Sequence, residues 1–205
     1  MKPLFRPISQ ILSAVLHPLV MPLLSILLIV QYSALSFVEW SIQAYLLAVT
    51  TLFTVISPVL FILLIYRLKL VSSPTLFKRE DRTLPYLFTI ISYALCSYIF
   101  YKNNVPLWLT AIIIGGLLAL VTAGIITRWW KISAHMTGIG GLLACAVVLH
   151  YPLGFLPLWL LCSIVLLAGL LGSARIYLRC HTFGQVLAGW INGFSFVYLM
   201  LWLLS

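Results

Sequence analysis

Two of the four histidines in this 205-residue chain stand where they could do chemistry. His135 ends Lys131-Ile132-Ser133-Ala134-His135, and His181 ends Ala174-Arg175-Ile176-Tyr177-Leu178-Arg179-Cys180-His181. Each stretch sets an imidazole among basic side chains at the mouth of an apolar segment. A neutral imidazole can attack an electrophile or carry a proton, while guanidinium and ammonium groups bind oxyanions. Only three acidic side chains exist to neutralise those cations. A phosphate is the anion that suits the combination.

The elements that position these residues must be membrane helices. The chain is 63% hydrophobic with a net charge of +9, and its apolar runs continue to the last residue. A soluble domain needs more polar surface than this. Backbone groups in lipid must be satisfied internally, which leaves helices or a closed barrel. Runs such as 155–171 are continuously apolar rather than alternating, which selects helices. The fold class expected is therefore all-α, a polytopic bundle of six to seven transmembrane helices. It forms a single membrane domain over 1–205, with an N-terminal part over 1–66 and a core over 67–195.

A span takes roughly 17–25 residues. Helices are expected at 18–37, 42–66, 84–101, 106–127, 136–151, 155–172 and 183–204, with an interfacial helix over 3–16 that ends at His17-Pro18. Pro58 is expected to kink the second span. The start resembles a signal peptide, but Pro18, Pro22 and the lack of a small-residue cleavage site mark it as retained. Seven crossings put loops 67–83, 128–135 and 173–182 on one face, with every Lys and Arg except Lys102. That charge asymmetry assigns this face to the cytoplasm. The expected location is a bacterial inner membrane.

The cations in those loops face headgroups or an anionic ligand, so the positive charge is no argument for nucleic acid. Cys96, Cys145 and Cys162 read as small buried hydrophobes. No Cys/His spacing resembles a zinc site, and the carboxylates are too few for a magnesium cage. No metal or other cofactor is expected. Gly138, Gly140, Gly141, Gly189 and Gly193 read as sites of close helix approach.

Three segments recur in a telling order. Lys78-Arg79-Glu80-Asp81-Arg82-Thr83-Leu84-Pro85 is followed, two helices on, by Ile132-Ser133-Ala134-His135. Two further helices lead to Arg175, five residues, His181, three residues and Gln185. Together they resemble the type-2 phosphatidic-acid phosphatase superfamily, whose motifs are K-x6-R-P, P-S-G-H and S-R-x5-H-x3-D. The third motif matches best, the second keeps Ser and His, and the first has the basic residues and proline without the spacing. The resemblance covers about 67–195.

That resemblance implies a membrane phosphatase acting on a lipid or polyprenyl (di)phosphate through a phosphohistidine, without metal. By position, His181 would be the nucleophile and His135 the general acid. Arg175, Lys78 and Arg82 would neutralise the phosphoryl oxygens, with Lys131 as a further candidate. Ser133 would add a donor through its hydroxyl or backbone N–H. Gln185 stands where the family has Asp. At i,i+4 from His181, its amide oxygen is expected to accept the imidazole N–H without supplying charge. The alternative is a weakened or inactive relative that binds or transports phospholipid. Arg79, Arg128 and Arg179 read as headgroup contacts, and His150 lies on the opposite face. His17 could reach the site, although a proline-adjacent helix end explains it equally well.

Overall fold

The computed structural model describes residues 5–73, 80–151 and 155–204. The described residues form an all-α bundle: α1 Phe5–Val15, α2 Met21–Gln31, α3 Trp40–Thr51, α4 Ser57–Arg67, α5 Thr83–Lys102, α6 Leu107–Thr127, α7 Ala134–His150, α8 Leu158–Tyr177 and α9 Phe183–Leu204. Six helical stretches are long and apolar enough to cross a membrane: Phe5–Gln31, Trp40–Arg67, Glu80–Lys102, Leu107–Thr127, Leu158–Tyr177 and Phe183–Leu204. The chain is an integral membrane protein. Its outward side chains, among them Leu60, Leu166 and Trp202, form the apolar surface that a membrane-spanning bundle presents to its surroundings.

The central element is α7, whose 17 residues sit near the lower limit for a span. It is wrapped by α2, α6, α8 and α9, and packs most extensively against α9. Glycine makes that pairing possible. A Cβ on Gly189 would sit 2.5 Å from the Ser133 carbonyl, and one on Gly193 would overlap the Thr137 backbone. Lipid supplies no hydrophobic force between helices, so backbone-to-backbone approach is what holds them. Fully buried Met21, Ile26, Ile113, Ile139 and Leu171 fill the remaining space.

Three expectations are refined. The effect of Pro58 is taken up by a π-helical turn over Leu52–Ile56. Proline has no N–H to give the Phe53 carbonyl five residues back, and Ser92 Oγ donates to that oxygen at 2.6 Å instead. The 18–37 helix ends at Gln31, and its continuation is a separate 3₁₀ turn, Ala34–Phe37, held by Gln43 Nε2 donating to the Leu35 and Val38 carbonyls. The penultimate helix runs on from 172 to Tyr177, so Arg175 is helical. It stops in a Schellman turn: Arg179 N–H donates to Ile176 O at 2.9 Å and Cys180 N–H to Arg175 O at 3.1 Å. Arg179 has a positive φ of 55°, a conformation usually given to glycine.

The amphipathic α1 packs on α8, with Phe5 against Tyr177, and turns Ser9 and Ser13 inward. A break at residues 16–17 and a 3₁₀ turn, Pro18–Val20, lead into α2.

Candidate functional site

The segment Lys131–Ser133 is the scaffold of the site. It is irregular, its middle residue Ile132 is fully buried, and three successive residues each engage a different element. The Lys131 carbonyl accepts from His181 Nδ1 at 3.1 Å. The Ile132 carbonyl accepts from Arg82 Nη1 at 3.4 Å. The Ser133 N–H donates to the Gln185 carbonyl at 3.2 Å. The loops before α5, before α7 and after α8 are thereby brought to one end of the bundle.

His181 follows the Schellman turn and is buried. A carbonyl can only accept, so the imidazole proton sits on Nδ1 and Nε2 keeps its lone pair. Burial pulls the imidazole down to about 4, assisted by the positive charges of Arg82 and Arg175; the bond to the Lys131 carbonyl acts in the opposite direction. At neutral pH this residue is therefore an uncharged imidazole with its nucleophilic nitrogen unprotonated. Lys131 is pushed below its ordinary range by burial and by Arg82.

His135 lies in the first turn of α7, and its Nε2 donates to the Ser13 carbonyl at 3.0 Å. The tautomer is thus the reverse of that in His181, with the lone pair on Nδ1. Arg175 comes from the last turn of α8, and its Nε is buried without a hydrogen-bond partner. A buried donor left unpaired costs about 1–3 kcal/mol. His17, Arg82, His135, Arg175 and His181 line one cavity, together with apolar residues that include Tyr93, Ile112, Leu120 and Val197. Among the described lining residues there is no carboxylate. The result is a polar, electron-poor mouth above an apolar interior.

Two sequence-based roles are not met. Gln185 does not reach the His181 ring. Its Oε1 accepts from the Thr182 N–H at 3.0 Å, while its own N–H donates to Thr182 Oγ1 at 3.4 Å. This is a capping box at the start of α9, legible in Thr182-x-x-Gln185. The Ser133 backbone N–H is committed to Gln185, so only its buried, unpartnered Oγ remains as a donor. Lys78 lies outside the described residues. His150 Nδ1 bonds the Leu156 carbonyl at 2.7 Å, a structural bond away from the cavity. The orienting carbonyls of Lys131 and Ser13 carry no sequence signal, because every residue has one.

Comparison with protein-family models, with curated proteins and with solved structures gives no significant match for this chain.

Proposed function

We propose that this protein is a membrane phosphatase that removes phosphate from a lipid or polyprenyl (di)phosphate through a phosphohistidine at His181. One observation carries the reading: His181 is held as a neutral imidazole with Nε2 unprotonated, beside Arg82 and Arg175, in a cavity whose described lining residues include no carboxylate. The motif resemblance to type-2 phosphatidic-acid phosphatases supports the same chemistry.

In the first step the Nε2 lone pair of His181 forms a bond to phosphorus as the bond to the leaving oxygen breaks. Arg82 and Arg175 stabilise the charge on the phosphoryl oxygens. A phosphate monoanion brings a proton that can move to Nδ1 of His135, whose Nε2–H remains on the Ser13 carbonyl. His135 then returns that proton to the leaving oxygen, and takes one from the water that cleaves the phosphorus–nitrogen bond. The apolar tail would occupy the lower cavity. The same asymmetry of basic residues supports a cytoplasmic face of a bacterial inner membrane, which cysteine accessibility in loop 102–105 would test.

The deciding experiment is phosphate release from a panel of lipid phosphates in detergent, native chain against His181→Ala. Equal rates would end the enzymatic reading. A second reading, a phospholipid-binding or transporting relative, is favoured by the backing of both imidazoles. Each is held by a neutral carbonyl, whereas a carboxylate would stabilise an imidazolium far better. That reading predicts phosphate binding without turnover.

A further inference from the structure

We propose that His17 is a phosphate-binding residue of this cavity, donating its Nε2–H to an oxygen of the bound phosphoryl group; the inference rests on the phosphate reading above. His17 lies outside all three motif segments and enters from the break between α1 and α2. Its Nδ1 accepts the Leu19 N–H at 3.4 Å, capping the Pro18–Val20 turn. An accepting ring nitrogen carries no hydrogen, so a neutral His17 has its proton on Nε2. The cap therefore selects the tautomer that presents a donor at the far end of the ring.

Placement supplies the second observation. The His17 ring meets that of His135 edge to face, with centroids 5.5 Å apart and planes inclined by 74°. It is half-buried and lines the same cavity as Arg82, Arg175 and His181. The choice of residue is the third. Ser, Asn and Asp cap helices better than His, so a turn needing only a cap has no reason to use an imidazole here. The Nε2 donor also complements the guanidinium of Arg175, which lines the same cavity. Together they offer a phosphoryl group two donors from elements that are far apart in sequence.

Two substitutions separate the cap from the donor. The amide of Asn overlays the Nδ1 end of imidazole, and that of Gln overlays the Nε2 end. The full-length chain in detergent is titrated with inorganic phosphate, reading thermal stability and tryptophan fluorescence. His17→Asn is expected to melt like the native chain without phosphate and to bind phosphate about tenfold more weakly, as for one lost hydrogen bond to a charged group. His17→Gln is expected to melt lower and to keep most of the affinity. Native affinity in His17→Asn overturns the inference, as does equal loss of affinity in both variants. A native chain that binds no phosphate overturns this inference together with the reading beneath it. Phosphate binding that is sensitive to His17, in a chain whose turnover is unchanged by His181→Ala, sinks only the phosphohistidine assignment.

Discussion

Ser133 donates its backbone N–H to the carbonyl of Gln185 at 3.2 Å, tying the loop that precedes α7 to the first turn of α9. His135 follows Ser133 by two residues and His181 precedes Gln185 by four, so this bond fixes the spacing of the two imidazoles. Gly189, one turn further along α9, lets the helix lie against the Ser133 carbonyl. Packing and site geometry here are the same feature.

The pH dependence of stability follows from His181. Its folded value of about 4 lies below the 6.5 of a free imidazole, so between these limits the unfolded chain binds a proton that the folded chain does not. The His181 contribution to stability is fully present above pH 6.5 and is lost as pH drops toward 4, amounting to about 3 kcal/mol. Denaturation midpoints in detergent across this window measure the slope, and His181→Gln should make it shallower. A native chain with no slope would contradict the burial argument.

Gln185 is expected to matter to the helix rather than to the reaction. Loss of the cap in Gln185→Ala should lower stability by about 1 kcal/mol. Turnover should stay within about threefold of native, since the imidazole is held by the Lys131 carbonyl instead. Gln185→Asp should bring no large gain. An increase of orders of magnitude would mean that the side chain at 185 does reach His181.

Arg175→Lys keeps the charge but loses the planar fork, including the buried Nε. Phosphate affinity should drop about tenfold or more, with stability little changed. Vanadate or phosphate protection in a thermal-shift titration reads this directly, and unaltered affinity would remove Arg175 from the site.

Gly193→Ala should be among the most damaging single-methyl changes in the chain, costing about 3 kcal/mol or more, because its Cβ would overlap the Thr137 backbone. Gly169→Ala is the control, since nothing lies within 4 Å of its Cβ, and it should be neutral or slightly stabilising. Thermal unfolding of the two variants in detergent tests the pair.

The helical bundle was legible because hydropathy is additive along the chain, and an apolar run of span length has few other uses. Helix ends were less so: the π turn before Pro58 and the extension through Arg175 depend on which partners are available. The glycines of α7 and α9 are close contacts, as their placement in apolar helices implies. Gln185 shows the limit from the other side. Its spacing to His181 allows a meeting on a helix, but the helix begins between them, and a capping box with Thr182 uses the amide first.

By itself, the sequence determined that this chain lives in a membrane, that its basic loops share a face, and that two histidines stand beside cations with few carboxylates to balance them. Only the tertiary structure decided which nitrogen of each ring is free. That choice depends on a carbonyl 50 residues away for His181 and 122 residues away for His135. It also decided that His17 joins them. Composition and spacing are local properties of a chain, whereas a tautomer is set by whatever backbone packing brings alongside the ring.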